Sequence, residues 1–334
     1  MLKSVFVAAL RNMVRNKFFS LINILGLSMS MSLGLLIIII IAGQFTFDNF
    51  HHDPERIHRV NTIALRTDGG REPYASSPLP IGRVLKEDYT FAEHVVRVNR
   101  NFNSDVQFKN INVPIQGLLV DPSFLDVFNF PLERGNPATA LTSPNSVVLT
   151  QEAAIKIFGA EEPVGQTISF STYGEFQVTG VLKKTVGNSH FEFEALGSST
   201  ALPLLEKEGK LAASLDDWNN YYSGYVYVKL KEGSSMQEAQ LALDDMARKY
   251  YVNLKLENRD RGYEFYLQPL RDITPGPMLS QSMGKGMPDL LIIFLSVLAG
   301  IVMLMACFNY TNLTIAKSLS RAREIGGRKI VGAQ

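Results

Sequence analysis

Two long uncharged stretches constrain this 334-residue chain more than any other feature. No Asp, Glu, Lys or Arg occurs over residues 18–47 or over residues 290–316. About 20 apolar residues cross the hydrocarbon core of a bilayer as a helix. The sequence therefore predicts two transmembrane helices, at residues 18–47 and 288–316. A cleaved signal peptide is the alternative for the first stretch, but its apolar core is only about 7–15 residues long.

The distribution of charge predicts how these helices are oriented. Residues 1–17 carry four basic residues and no acid, and residues 317–334 carry five basic residues and one acid. The residues in between contain 24 basic side chains against 31 acidic ones. Lys and Arg accumulate on the cytoplasmic side of membrane segments. We therefore expect both ends of the chain in the cytoplasm and residues 48–285 on the opposite side.

Residues 2–17 show helical periodicity, with apolar side chains on one face and polar or basic side chains on the other. Such a pattern is typical of a helix that lies along a membrane surface. We predict a cytoplasmic interfacial helix over residues 1–17. A basic flank with no such helix is the alternative.

Small and polar residues recur within both apolar stretches. Glycine and serine return every four residues, and two asparagines lie three residues apart near the end of the second stretch. Small residues let helix backbones approach closely in lipid, and polar side chains at membrane depth face protein or water. The predicted helix-packing residues are Gly26, Ser30, Gly34, Ser296, Gly300, Asn309 and Asn312.

Two separated strand–helix–strand patterns lie between the apolar stretches. The first runs through "RVNTIALR", the proline-started "SPLPIGRVLKEDY" and "HVVRVNR". The second runs through "YVYVKL", a helix-periodic stretch over residues 234–251 and "YEFYLQPL". Strands alternate with period two, and helices repeat every 3.6 residues. Two such units can close into one sheet with helices on one face, which predicts a first part made of residues 48–104 and 216–275.

The residues between these two units are predicted to be an insertion. Residues 105–215 contain short strand patterns such as "NVPIQGLLV", "SVVLT" and "FQVTGVL", with one helix predicted at residues 151–158. They are predicted to form a second, strand-rich part. The predicted fold class is therefore an α+β membrane protein, in which two transmembrane helices flank a large extracytoplasmic domain.

No catalytic, cofactor-binding or metal-binding residue is predicted, and the chain is expected not to be an enzyme. It lacks a phosphate-binding G-x-x-x-x-G-K-[ST] motif, and its acidic middle region argues against nucleic-acid binding. The segment "FDNFHHDPERIHRV" is the richest cluster of titratable side chains. Metal ligation there is conceivable, but solvated side chains at the membrane surface are the favoured interpretation.

Several segments together resemble a known family. They are "ALRNMVRNKFFSLINILGLSMSMS", "VDPSFLDVFNFPLERGNPATALTSPNSVVLTQEAAIKIFGAEEPVGQTI", "FQVTGVLKKTVGNSHFEFE" and "ACFNYTNLTIAKSLSRAREIGGRKIVGA". The chain resembles the permease subunit of MacB/FtsX-like ABC transporters, over essentially its whole length. That resemblance implies a periplasmic core domain over residues 48–285, with a porter-like part at 48–104 and 216–275 and a sabre-like insert at 105–215.

The same resemblance implies a location and partners. The chain would lie in the bacterial inner membrane, dimerise with a second permease copy and bind a separate cytoplasmic ABC ATPase. A periplasmic or outer-membrane protein would be a further partner, besides membrane lipid. Such permeases transmit ATP-driven dimer closure to the periplasmic domain. Export of a molecule and regulation of cell-wall hydrolases both remain open.

The resemblance also places an ATPase-coupling element at residues 317–334. Its residues would be Arg321, Arg323, Glu324, Ile325, Gly326, Arg328 and Lys329. Relatives carry an aliphatic residue where this chain has Gly327, and glycine costs a helix interior about 1 kcal/mol relative to alanine. We therefore expect the coupling helix to fray or to begin later. Because the family continues with further helices, the chain is expected to be the N-terminal portion of a longer protein.

A two-span sensor with an extracytoplasmic ligand-binding domain is the alternative function. Its second helix would continue into a cytoplasmic helix with heptad repeats. The segment "REIGGRKIVGA" has two adjacent glycines and no such repeat.

Overall fold

The computed structural model describes residues 17–184 and 187–330, which divide into two units. Helices α1 (Lys17–Gln44) and α7 (Asp289–Ile330) form one unit, and residues Thr46–Pro288 form the other, called the domain below. The predicted interfacial helix over residues 1–17 lies outside the described residues except for Lys17.

The domain contains five α-helices between its strands, as far as its described residues show. The helices are α2 (Pro80–Asp88), α3 (Phe124–Val127), α4 (Gln151–Phe158), α5 (Leu202–Lys207) and α6 (Met236–Tyr251). Thr150 and Ser235 accept hydrogen bonds from Ala153 N and Glu238 N, so each caps a helix N-terminus. Proline at the first position sets the start of α2, because its fixed φ suits the first helical turn.

Within residues 17–184 and 187–330, thirteen strands form one mixed sheet. They are β1 (Ile57–Arg66), β2 (Arg71–Tyr74), β3 (Ala92–Asn99), β4 (Ser104–Phe108), β5 (Ile111–Ile115), β6 (Gly117–Val120), β7 (Leu132–Gly135), β8 (Ser146–Leu149), β9 (Thr167–Phe170), β10 (Gly174–Leu182), β11 (Ala195–Ser198), β12 (Gly224–Leu230) and β13 (Asp260–Pro269). Their order is β13-β1-β12-β3-β6-β11-β8-β10-β9-β4-β5, with β2 on β1 and β7 on β10.

The first four strands in this order come from the two β-α-β patterns of the sequence. Strand β12 lies between β1 and β3, and β1 lies between β13 and β12, so the two units interleave. All three pairings are antiparallel. Apolar residues of α2 and α6, among them Leu85 and Leu243, share one core cluster with β12 and β13. Both helices therefore cover the same face of the sheet.

The sheet continues without interruption into residues 104–198. Strand β6 pairs with β3 through Val98–Val120 and Asn99–Leu119, and β11, β8 and β10 follow. Strands β8 and β10 run parallel, and β9, on the other side of β10, is antiparallel to it. The domain therefore contains one continuous sheet. The division into porter-like and sabre-like parts stays a prediction.

Aromatic side chains fill the centre of the domain. Phe124, Phe128 and Phe130 are buried beside Phe191 and Tyr227 in one cluster. The segment over residues 120–141 therefore packs its aromatic residues into the core. A second cluster, built around Phe102, lies under the strands β4, β9 and β10.

Candidate functional site

The contact between helices α1 and α7 is formed at glycines. A Cβ atom built on Gly26 would lie 3.3 Å from Nδ2 of Asn309, and one built on Gly34 would lie 3.2 Å from Sδ of Met303. Both distances are shorter than an ordinary van der Waals contact, so larger side chains would push the helices apart. Of the seven predicted packing residues, the structure brings Gly26, Gly34 and Asn309 into this contact.

Helix α7 contributes alanines to its buried face. Ala299 and Ala306 are 7% and 6% exposed and stand seven residues apart, which places them on one face. Ser296 is exposed and donates a 2.8 Å hydrogen bond to the carbonyl of Ile292 in its own helix. A Cβ on Gly300 would meet no atom within 4 Å. Ser296 and Gly300 therefore lie outside the contact between these two helices.

The two remaining predicted packing residues differ from each other. Ser30 is half-buried, and Asn312 is exposed. Their role in helix packing stays a prediction, as does that of Ser296 and Gly300.

Most of the large apolar side chains of helices α1 and α7 are exposed. Two segments, Ser20–Gln44 and Asp289–Asn312, are long and apolar enough to cross a membrane. Exposed examples are Ile22, Met29, Leu290, Ile293 and Met305. A surface of this composition is favourable only where lipid or protein replaces water. The chain thus has two candidate membrane helices, one on each side of the domain in the sequence.

Helix α7 extends well beyond its candidate membrane span. Its 42 residues measure about 60 Å at 1.5 Å per residue, twice the thickness of a bilayer core. The helix passes through Gly326 and Gly327, so the glycine pair does not end it, contrary to the expected fraying. The chain contains no proline between residues 289 and 330, and the cost of two glycines is small compared with that of a proline.

The side chains of the predicted ATPase-coupling residues lie outside the described part of the chain. These residues are Arg321, Arg323, Glu324, Ile325, Gly326, Arg328 and Lys329. Only the helical path of their backbone is described. Their coupling role stays a prediction.

A buried hydrogen-bond network, called the Asp48 network below, lies where the chain enters the domain. The carboxylate of Asp48 accepts hydrogen bonds from His51 Nε2 at 3.0 Å, from His190 Nδ1 at 2.8 Å and from Ser189 Oγ at 2.7 Å. The backbone N–H of His190 donates to the same carboxylate. Asp48, His51 and His190 are at most 4% exposed. One acid therefore binds two segments that are some 140 residues apart in the chain.

The two imidazoles of the network have different partners. His51 Nδ1 lies 2.6 Å from the carbonyl oxygen of Phe128, and its Nε2 lies 3.0 Å from Asp48. His190 Nδ1 donates to Asp48, and its Nε2 accepts from the hydroxyl of Tyr227 at 2.9 Å. The ring nitrogens of both histidines therefore have hydrogen-bond partners inside the domain.

The pKa values in the network follow from burial and hydrogen bonding. Burial alone would raise the pKa of Asp48, but the hydrogen bonds that its carboxylate accepts from His190, His51 and Ser189 outweigh this effect and hold the pKa well below its usual range. Burial lowers the pKa of His190, and Asp48 only partly opposes this. At neutral pH the carboxylate is therefore ionised and His190 is uncharged.

These observations correct the interpretation of "FDNFHHDPERIHRV" as solvated. Asp48, His51 and His58 are buried, whereas His52, Asp53 and Glu55 are exposed. Asp48 and His51 are held by the domain, because His190 and the Phe128 carbonyl offer them partners that the local sequence does not, whereas His58 Nδ1 lies 3.2 Å from the carbonyl of Arg56. Within the described residues, no three His, Cys, Asp or Glu side chains are arranged to hold a metal ion. The ring nitrogens and carboxylate oxygens here bind one another.

The Asp48 network makes the stability of the domain depend on pH. As the pH falls below the usual pKa of histidine, 6.5, the unfolded chain binds a proton at His190 before the folded chain does, because the folded pKa is lowered, so stability falls on acidification. Below pH 3.8 Asp48 adds to the loss, because its folded pKa is lowered. We expect a slope of up to about 1.4 kcal/mol per pH unit from each group.

Urea unfolding of the full chain in detergent, followed at pH values from 8 to 3.5, measures this slope. His190→Gln will flatten the part above pH 4, whereas the exposed control His52→Gln will leave it unchanged. Equal profiles for the unaltered chain and the His190→Gln variant would contradict the assignment.

Comparison with known proteins places this architecture in a family. The family described as MacB-like periplasmic core domain matches residues 20–246, which is more than half of the chain. None of the curated proteins compared matches the chain significantly.

Three solved structures from bacteria are among those that match the chain. A domain of a protein described as a permease from Porphyromonas gingivalis has a TM-score of 0.57 at 19% identity, over 73% of this chain and 98% of that one. The periplasmic region of MacB from Actinobacillus actinomycetemcomitans has a TM-score of 0.44 at 16% identity, over 64% and 90%. The extracellular domain of the ABC-type transporter YknZ from Gram-positive bacteria has 0.43 at 14%, over 62% and 98%. With the family match over helix α1 and most of the domain, the chain belongs to the MacB-like periplasmic core domain family.

Proposed function

We propose that this chain is the non-catalytic permease subunit of an ABC transporter, which couples ATP hydrolysis by a separate cytoplasmic ATPase to motion of a periplasmic domain. The observation that carries the proposal is the family match over residues 20–246, which joins the domain to a candidate membrane helix. The second candidate helix follows the domain directly. The basic residues at both ends of the chain support an inner-membrane orientation with both ends in the cytoplasm.

Helix α7 supplies the mechanical connection in this proposal. It begins at Asp289, immediately after the last residue of the domain, and continues as one helix to Ile330. It contains no proline, a common cause of sharp kinks, and it stays helical through Gly326 and Gly327. A displacement at the basic end of α7 would therefore pass along one element to the domain. At the other junction, the Asp48 network holds the first residues of the domain to its core.

The proposal includes the partners that the resemblance implies. They are a cytoplasmic ABC ATPase at the basic end of α7, a second permease copy, membrane lipid and a periplasmic or outer-membrane protein. The motion of the domain would serve either efflux of a molecule or mechanotransmission to a periplasmic partner. Both functions use the same coupling of ATP hydrolysis to domain motion, and they differ in what the domain contacts.

Charge removal in the coupling segment tests the proposal. The double variant Arg323→Ala with Glu324→Ala is compared with the unaltered chain, each tagged and purified from native membranes. The double variant will recover at least about tenfold less ABC ATPase. That factor corresponds to a loss of about 1.4 kcal/mol of binding free energy. A matched control is the exposed ion pair of the domain, Arg71→Ala with Glu264→Ala, which will leave co-purification unchanged. Equal ATPase recovery from both double variants would contradict the coupling role.

One observation favours the alternative of a two-span sensor. The domain contains a cleft of about 980 Å³, lined among others by Phe50, Leu125, Phe130 and Lys183, which has room for a small ligand. The co-purification experiment separates the two functions, because a sensor would recover no ABC ATPase with either variant or with the unaltered protein.

A further inference from the structure

One short segment of the domain is contacted by both of the connections that lead to the long helices. The domain begins at Thr46, directly after the residues that belong with α1, and ends at Pro288, directly before α7. Residues 188–192, called the shared segment below, are distant from both ends in the sequence. Contacts from each connection nevertheless converge on these five residues.

The connection to α1 contacts the shared segment through Asp48. The backbone N–H of Asp48 donates a 2.9 Å hydrogen bond to the carbonyl of Asn188. Its carboxylate accepts from the Ser189 hydroxyl at 2.7 Å and from His190 Nδ1 at 2.8 Å. Asp48 lies four residues after Gln44, the last residue of α1. A displacement of this connection therefore acts on the shared segment through these hydrogen bonds.

The connection to α7 contacts the shared segment through Gly284 and Lys285. Gly284 has a φ of 79°, and a Cβ atom built on it would overlap the carbonyl oxygen of His190. The two backbones therefore touch, and glycine is the residue that fits there without strain. The ammonium of Lys285 lies 2.7 Å from a carboxylate oxygen of Glu192. Both contacts lie within five residues of Asp289, where α7 begins.

The shared segment is itself fixed to the core of the domain. His190 is fully buried, and its Nε2 accepts a 2.9 Å hydrogen bond from the Tyr227 hydroxyl of β12. The neighbouring Phe191 is buried as well, and its ring centroid lies 4.7 Å from that of Phe128. Packed protein interiors have low compressibility and transmit strain. A displacement of either connection would thus reach the core through the same residues.

We propose that the shared segment couples the two connections, so that a change at Gly284 alters the hydrogen bonds of Asp48, and the reverse. His190 is the residue common to both, because Asp48 binds its side chain while Gly284 contacts its backbone carbonyl. The inference deepens the proposed function and rests on it, since there α7 passes a displacement to the domain. That displacement would also act on the Asp48 network, where the chain enters the domain from α1.

Amide hydrogen exchange of the full chain in detergent, measured by mass spectrometry, tests this coupling. The variant is Gly284→Ala, whose added methyl group displaces the loop from His190. The matched control is Gly233→Ala, because Gly233 has a similar φ of 82° but a Cβ on it would meet no atom within 4 Å. The reporter is the peptide that contains the Asp48 N–H. Strand β4 is the internal reference for unfolding of the whole domain.

The expected result is faster exchange at the connection that was not altered. Gly284→Ala will speed exchange at the reporter at least about tenfold relative to β4, whereas Gly233→Ala will leave it unchanged. Because a coupling free energy is reciprocal, Asp48→Asn will speed exchange of the Ser280 N–H, which donates to the carbonyl of Pro73, by a similar factor relative to β4.

A second variant keeps the test decisive if Gly284→Ala does not fold. Lys285→Met removes a side chain that is 83% exposed, so the core stays intact, and it will speed exchange at the reporter at least about twofold. Faster exchange confined to the altered connection, or an equal rise at the reporter and at β4, overturns the proposal. No ATPase is present in this measurement, so either of these outcomes leaves the co-purification test of the proposed function unaffected.

Discussion

Replacing Asp48 with asparagine will lower the free energy of unfolding of the domain by about 3–5 kcal/mol, because at least two buried donors lose a charged acceptor at about 1.5–3 kcal/mol each. The carboxylate accepts hydrogen bonds from His51, His190 and Ser189. An asparagine amide has only one acceptor oxygen and would point N–H groups at some of these donors. The effect on stability is large because all of these groups are shielded from water.

The measurement is urea unfolding of the full chain in detergent, followed by the fluorescence of Trp218. This is the single tryptophan of the chain, and it stacks on Tyr250 inside the domain, so it reports on domain unfolding. The matched control is Asp53→Asn, an exposed aspartate of the same segment, with a positive φ that asparagine adopts readily. It will change stability by less than about 0.5 kcal/mol. Equal losses for both variants would show that the Asp48 network contributes nothing beyond a surface charge.

Truncating Phe102 to alanine will destabilise the domain by about 3–5 kcal/mol. Its ring is fully buried, 4.7 Å from that of Phe170 and 5.1 Å from that of Phe176 between ring centroids. A Cβ on Gly117 or on Gly197 would lie only 2.7 Å from the ring, so Phe102 fills the space above two glycines. Because glycine has no side chain that could move into the cavity, the site cannot collapse around an alanine.

Far-UV circular dichroism and Trp218 fluorescence, recorded during the same urea titration, measure this loss. Since Phe102 and Trp218 belong to different core clusters of one continuous sheet, coincident shifts in both signals will show that the domain unfolds as a unit. The exposed control Ile155→Ala will cost less than about 0.5 kcal/mol. A loss below 1 kcal/mol for Phe102→Ala would contradict the packing described here.

Local periodicity was sufficient to find several elements of the domain. The pattern "RVNTIALR" corresponds to β1 (Ile57–Arg66), and the apolar stripe over residues 234–251 corresponds to α6 (Met236–Tyr251). Helix α6 has one buried and one exposed face, so its apolar side chains repeat with the helical period, whereas β1 is buried along most of its length. The helix predicted at residues 151–158 is α4, with its capping Thr150. Periodicity does not reveal strand pairing, and the contact of β3 with β6 followed only from the structure.

The Asp48 network could not be predicted, because its partners are distant in sequence. His190 lies 142 residues after Asp48, and the Phe128 carbonyl that binds His51 carries no sequence signal. The cluster of titratable residues was visible, but burial depends on tertiary contacts, so its interpretation as solvated was wrong for Asp48, His51 and His58.

The contact between α1 and α7 could be predicted from the sequence of α1 but not from that of α7. Gly26 and Gly34 interrupt an apolar stretch and stand out, and both contact α7. On α7 the buried small residues are Ala299 and Ala306, which do not stand out among apolar neighbours. Gly300 attracts attention by its type but lies on another face.

The central claim is that the domain lies on the periplasmic side while the end of α7 lies in the cytoplasm. Cysteine labelling in intact cells tests it most directly, in a Cys307→Ser background that removes the chain's single cysteine. Single cysteines are introduced by Glu175→Cys, at an exposed position of the domain, and by Ala322→Cys, at an exposed position of α7. With a small membrane-impermeant maleimide, the Glu175→Cys variant will be labelled in intact cells and the Ala322→Cys variant only after lysis. Labelling of Ala322→Cys but not Glu175→Cys in intact cells would contradict the account.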